Sequence, residues 1–176
     1  MKKLIVNEKE YSVLKLLGKG KGGYSYLSCV GNKKVVLKKI HHEPCDYYQF
    51  NNKMQSELED YARLKKIGIN LPQMLDFDIK NECIVKEFID GKTVYEMILN
   101  DEQIEDCIIQ VKDMCKKLYA ANLNIDYFPT NFVLENKLLY YIDYECNEYD
   151  EKWNFENWAK KYWSKTESFL EYAKIR

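Results

Sequence analysis

Three oxygen-bearing side chains, Asp126, Asn131 and Asp143, are spaced so that the fold could bring them together. Asp126 and Asn131 lie in Asn124-Ile125-Asp126-Tyr127-Phe128-Pro129-Thr130-Asn131, and Asp143 follows in Tyr141-Ile142-Asp143-Tyr144-Glu145. Between Asn131 and Asp143 are two apolar runs, Phe132-Val133-Leu134 and Leu138 to Ile142, separated by Glu135-Asn136-Lys137. That pattern predicts a β-hairpin. A hairpin sets residues equidistant from its turn side by side, so Asn131 and Asp143 meet at its open end. Amide and carboxylate oxygens so placed are hard ligands suited to Mg²⁺. Asp126, on a Pro-containing loop, adds a third oxygen group there. The set suits transfer of a phosphoryl group from a metal-bound nucleotide.

The elements that must position these groups begin upstream. Strands are predicted at Tyr11–Leu17, Tyr24–Val30, Lys33–Ile40, Leu71–Phe77 and Cys83–Ile89. One helix, from about Tyr48 to Ile67, is inserted after Pro44 and stopped by Gly68. A second helix is predicted over Glu102–Ala121, where Ile104, Cys107, Ile108, Val111, Cys115 and Leu118 recur at helical spacing. The expectation is an α+β, two-lobed fold. Residues 1–89 form a five-stranded N-lobe with one helix, and residues 90–176 a shortened, mostly helical C-lobe.

Between the first two strands, Gly18-Lys19-Gly20-Lys21-Gly22-Gly23 places Gly18, Gly20 and Gly23 in GxGxxG register. Such a turn lets backbone N–H groups approach phosphate oxygens. It runs from strand to strand, which argues against a dinucleotide fold. On the third strand Lys38 shares a face with Val36, and a phosphate-binding lysine needs a carboxylate to position it. In the helical projection Glu57 lies on the apolar side with Met54, Tyr61 and Leu64, whereas Glu59 points to the polar side. A carboxylate on an apolar face is costly unless paired, which selects Glu57 as the partner of Lys38.

Composition is compatible with this chemistry. The chain has 176 residues, 46% hydrophobic and 31% charged, with a formal net charge of −1. That balance gives no electrostatic case for nucleic acid as a direct partner. The apolar stretch after Met1-Lys2-Lys3 is only Leu4-Ile5-Val6, and no run approaches a membrane span. Six scattered cysteines without a CxxC pair read as reduced thiols, so a cytoplasmic location is expected. His41-His42-Glu43 with Cys45 is a poor chelating arrangement.

From Tyr11 to Glu145 the chain resembles the protein-kinase-like superfamily. Gly18-x-Gly20-x-x-Gly23 is similar to its nucleotide-covering loop, Val35-Val36-Leu37-Lys38 to its Val-Ala-Ile-Lys strand, and Glu57 to its helix glutamate. Lys86-Glu87-Phe88-Ile89 is similar to the hinge that holds adenine. Asp126 through Asn131 matches the D-x-x-x-x-N part of the catalytic loop, and Asp143 the metal-binding aspartate. The resemblance implies ATP and Mg²⁺ (or Mn²⁺) as cofactors. It implies a nucleotide site between the lobes made from Gly18, Lys19, Gly20, Gly23, Val36, Lys38, Glu87, Ile89 and Val133. It also implies metal binding by Asn131 and Asp143, with Glu145 auxiliary, and catalysis by Asp126 with Lys38 and Glu57. The acceptor would be a protein Ser/Thr or a small-molecule hydroxyl.

Departures set the alternatives. Asn124 replaces the usual histidine, Asp143-Tyr144-Glu145 replaces Asp-Phe-Gly as in aminoglycoside and choline kinases, and Lys86 occupies the gatekeeper position. Only 31 residues follow Glu145, with no Ala-Pro-Glu motif. This is most similar to short atypical prokaryotic kinase-like proteins, including RIO kinases and the kinase subunit of the tRNA threonylcarbamoylation complex. A pseudokinase or nucleotide-binding regulatory subunit is the alternative, and a nucleic-acid-associated module a third reading. Phe155, Trp158, Tyr162 and Trp163 form an aromatic helical stripe, read as packing, with a partner protein as the other possibility. Ser164-Lys165-Thr166-Glu167 reads as a capping box opening a last helix.

Overall fold

The structure, a computed structural model, describes residues 2–44 and 52–175. The chain divides into two compact units: residues 1–58 with 72–88, and residues 59–71 with 89–176. Residues 59–71, which the sequence reading put in the N-lobe, therefore group with the second unit.

The first unit is built on a six-stranded antiparallel sheet, one strand more than the sequence predicts. Its strands are β1 (Lys3–Val6), β2 (Lys9–Lys19), β3 (Gly23–Val30), β4 (Lys33–Ile40), β5 (Met74–Asp78) and β6 (Cys83–Glu87), in the order β1-β2-β3-β4-β6-β5. The extra strand is β1, the Leu4-Ile5-Val6 segment. Alternation along β4 sends Val35 and Leu37 to one face, where they join Val6, Tyr11, Cys83 and Val85 in a small core. Val36, Lys38 and Ile40 fall on the other face. The sheet curls so that its first and last strands are joined. The N–H of Asn7, after β1, donates to Asp78 Oδ2 at 3.1 Å. Its side-chain amide donates to Asp76 Oδ1 at 2.9 Å and to Phe77 O at 2.8 Å. With the N–H and side-chain amide of Asn81 also donating to it, the Asp78 carboxyl is held down at about 2.

The inserted helix α1 is described over Lys53–Lys66, and its expected beginning at Tyr48 lies outside the described residues. Asn52 caps it, its Oδ1 accepting from the N–H of Gln55 at 3.0 Å. Gly68, at φ +76°, ends it in the left-handed conformation that glycine adopts without penalty.

The second unit mixes more strand into its helices than the sequence implies. A two-residue strand β7 (Lys92–Thr93) leads into α2 (Val94–Leu99), a short helix opened by a capping box between Thr93 and Glu96. Then come α3 (Glu105–Ala120), β8 (Leu123–Ile125), β9 (Phe132–Glu135), β10 (Leu138–Tyr141), β11 (Cys146–Glu148) and α4 (Glu167–Ile175). β9 and β10 form the expected hairpin, with Phe132 opposite Tyr141. Asn136 and Lys137 both have positive φ, as a type I′ turn requires. β7 extends this hairpin, and β8 pairs with β11, so Asn124 faces Asn147.

The aromatic stripe is not one α-helix. Phe155–Ala159 form a π-helical turn and Lys160–Tyr162 a 3₁₀ turn. Phe155 and Trp163 are buried in the main core, and Trp158 packs against it. The last helix is capped by Thr166, whose Oγ1 accepts from the N–H of Phe169 at 3.2 Å, and not by Ser164.

Candidate functional site

In the first unit, Lys38 Nζ forms an ion pair with Glu57 Oε1. Their side chains retain only 10% and 13% of their exposure, while Glu59 is exposed. The pairing is the one the helical projection selects. The second carboxylate oxygen of Glu57 is buried and has no hydrogen-bond partner among the described residues.

The Gly-rich turn lies against this pair. Gly18 is still in β2, paired with Ser25, and the N–H of Gly20 donates to Gly23 O at 2.9 Å to close the turn. A Cβ on Gly23 would stand 2.6 Å from Lys39 O, so glycine is needed there for strand β3 to approach β4. A Cβ on Gly22 would lie 3.8 Å from Glu57 Oε1 and 4.0 Å from Lys38 Nζ, which puts the turn tip over the ion pair. Lys19 is exposed and bonded to Glu43 Oε2 at 2.6 Å. Lys86 is 5% exposed and sits opposite Val36, on the sheet face that carries Lys38. Val36 is half-buried and Glu87 exposed at the end of β6, its Oε2 accepting from Gln73 N at 3.1 Å.

In the second unit the hairpin brings its open end together. The N–H of Ile142 donates to Asn131 O at 2.9 Å, so Asp143 lies one residue beyond that contact. Asn131 Nδ2 donates to Asp126 O at 3.2 Å, which aligns the amide and closes the loop. Asp126 is exposed, with Oδ1 accepting from Phe128 N at 3.1 Å; Asp143 is half-buried, with Oδ1 accepting from Tyr144 N at 2.8 Å. Val133 is buried on β9 between Tyr140 and Thr93, and Ile89 is buried.

Tyr141 lies in an acidic neighbourhood. Burial pushes its hydroxyl far above the ordinary tyrosine range, and the charges of Asp143, Asp126 and Glu145, in that order, push it the same way. Three acidic groups therefore bear on one buried hydroxyl, which donates to Glu145 O at 2.8 Å. Among the described residues no three His, Cys, Asp or Glu side chains form a ready metal cage. The oxygen set depends on Asn131.

Other residues that shape this loop are not singled out by the sequence. Trp163 Nε1 donates to Tyr127 O at 2.8 Å, and the fully buried Tyr127 donates its hydroxyl to Asn124 Oδ1 at 3.4 Å. Asn124, in place of histidine, also donates to Asp150 O at 2.9 Å. Asp60, on α1, accepts from Cys146 N at 3.2 Å, and burial raises its carboxyl pKa. At 100° per residue Asp60 falls roughly 60° from Glu57, so the projection that picks Glu57 also admits Asp60.

No family model matches the chain. A curated relative, KEOPS complex subunit Bud32 of Pyrococcus abyssi (strain GE5 / Orsay), is 28% identical over 92 residues. The matched segment is 51% of this chain but only 42% of that relative. Among the described residues no helix is long and apolar enough to cross a membrane. The fold is α+β, with a curled antiparallel sheet followed by a glutamate-bearing helix and a helical part carrying a small hairpin, and together with this partial likeness it supports a place for the chain in the protein-kinase-like superfamily.

Proposed function

We propose that the chain is an ATP- and Mg²⁺-dependent phosphotransferase that moves the γ-phosphoryl group to a hydroxyl of a protein or small molecule. The observation that carries this reading is the Lys38–Glu57 pair lying beneath Gly22 of the Gly-rich turn. An ammonium held by one carboxylate oxygen under a turn of backbone N–H groups is an arrangement for binding phosphates.

The donor set of the second unit fits a divalent cation. Asn131 and Asp143 would hold it, with Glu145 near, and Mn²⁺ could replace Mg²⁺. The hairpin contact from Ile142 N–H to Asn131 O sets Asn131 next to the residue before Asp143, and an amide and a carboxylate oxygen suit such an ion. When bound, the ion neutralises phosphate charge. Asp126, exposed and on its own loop, would accept the proton of the acceptor hydroxyl as its oxygen bonds to the γ-phosphorus and the bond to the leaving β-phosphate oxygen breaks. Lys38 would steady the remaining phosphates. Val36, Glu87, Ile89 and Val133 would bound the base, with Gly18, Gly20 and Gly23 shaping the turn. Lys19 would contribute only after leaving Glu43.

Free thiols at all five described cysteines fit a reducing, cytoplasmic setting. The name of the Pyrococcus relative, a complex subunit, supports a protein partner and keeps a second reading, a nucleotide-binding regulatory subunit without transfer. Mg·ATP affinity and γ-phosphate transfer on Asp126→Asn and Asp143→Asn test the roles. Asp126→Asn should bind normally and lose roughly 10²–10⁴ in transfer. Asp143→Asn should lose both. Wild-type binding without transfer to itself, proteins or small hydroxyl compounds selects the regulatory reading, and no binding of any purine nucleotide defeats both.

A further inference from the structure

Lys53 is the first residue of α1, where a cation opposes the positive end of the helix dipole, and it is only 5% exposed. Burying an ammonium there costs stability unless strong acceptors surround it. Among the described residues its Nζ donates to the backbone carbonyls His41 O at 2.5 Å, just after β4, and Lys21 O at 3.3 Å, in the Gly-rich turn. His41 grips the same turn. Its N–H donates to Gly22 O at 3.4 Å, and its ring Nε2 lies 3.0 Å from Gly20 O. Because Nδ1 accepts from Glu43 N, Nε2 carries the proton and donates. The carbonyls of Gly20, Lys21 and Gly22 are thus each held, the middle one by Lys53.

Lys53 and Glu57 are four residues apart and so share a face of α1. One grips the turn, and the other grips the lysine beneath the turn. We propose that Lys53 is a positioning residue that makes the Gly-rich turn and the Lys38–Glu57 pair move as one body with α1. Shifting the helix would then lift the turn as it releases Lys38, so phosphate contacts would be made or lost together. The consequence for nucleotide rests on the phosphotransferase reading, but the mechanical coupling does not.

The test is site-resolved amide exchange together with nucleotide affinity on Lys53→Met, Lys53→Gln and Lys53→Arg. The reporting amides are Gly20 and His41, bonded to Gly23 O and Gly22 O, with Val85 in β6 as the reference. Lys53→Met should speed exchange at Gly20 and His41 by about tenfold, leave Val85 unchanged, and weaken Mg·ATP about tenfold with adenosine affinity unaltered. Lys53→Arg should restore most of both. If Lys53→Met also loses protection at Val85, Lys53→Gln becomes the deciding variant. Wild-type exchange at Gly20 and His41 in a folded Met or Gln variant overturns the proposal. Exchange that responds in a protein that binds no nucleotide upholds the coupling and defeats only the phosphotransferase reading.

Discussion

The Gly-rich turn and the Asp126–Asn131 loop are both short connections, yet they are held by opposite means. The turn is exposed from Lys19 to Lys21, and polar contacts from Lys53, His41 and Glu43 hold it. The loop is fastened to apolar core. Tyr127 is fully buried, Trp163 donates to its carbonyl, and Phe128 packs against the rings of Trp158, Tyr162 and Tyr172. Polar contacts to backbone can be exchanged for water at small cost, whereas large buried rings cannot. The difference teaches that the Gly-rich turn is built to readjust and the Asp126–Asn131 loop is built to stay put.

Breaking the rigid side should have the largest effect. Trp163→Ala should cost about 3–5 kcal/mol of unfolding free energy, as for other buried large-to-small changes. Trp163→Phe keeps the packing but strands the Tyr127 carbonyl, and should cost about 1–3 kcal/mol. Denaturant midpoints measure both. Equal, negligible losses would mean that the tail does not support the loop.

The adjustable side should respond less. Glu57→Gln removes the Glu57 charge from its ion pair with Lys38. The side chains keep some exposure, so we expect about 2 kcal/mol, below the roughly 3–5 kcal/mol of a fully buried pair. Glu59→Gln should stay within about 0.5 kcal/mol. Similar losses for both variants would remove the distinction between the two glutamates.

The smallest effect separates the turn from the sheet beneath it. Asp78 has a folded pKa of about 2 against an ordinary 3.8. Its carboxylate therefore stabilises the fold fully above the ordinary value, and that contribution is lost as pH falls through the folded value. Midpoints measured from pH 5 down to pH 2 should fall less steeply in Asp78→Asn than in the wild type. Parallel curves would show that Asn7 and Asn81 do not hold a charged Asp78.

Much of the site could be read from spacing because its parts are local. β4 occupies the predicted residues, the hairpin turns where the polar break falls, and the projection of α1 separates Glu57 from Glu59. What could not be read depends on distant partners. β1 is a strand only because Leu4 and Val6 share a core with Val35 and Val85, and four residues carry too little periodicity to announce that. The three-residue strands β8 and β11 are equally mute. α2 was legible in its Thr93-x-x-Glu96 box, but six residues fell below the length expected of a helix. The burial of Lys53 follows from carbonyls 12 and 32 residues away, which no pattern within the helix can report.

Asn7 reaches further than the bonds it makes. A sheet with two free borders offers neighbouring chains two strips of unused amides and carbonyls, an invitation to stick. By tying the turn after β1 to β5, this one residue, through its backbone N–H and its side-chain amide, draws the two borders toward each other, and Asp76 and Asp78 guard the join. Asn7→Ala should therefore reveal itself first as self-association at high concentration and only second as lost stability.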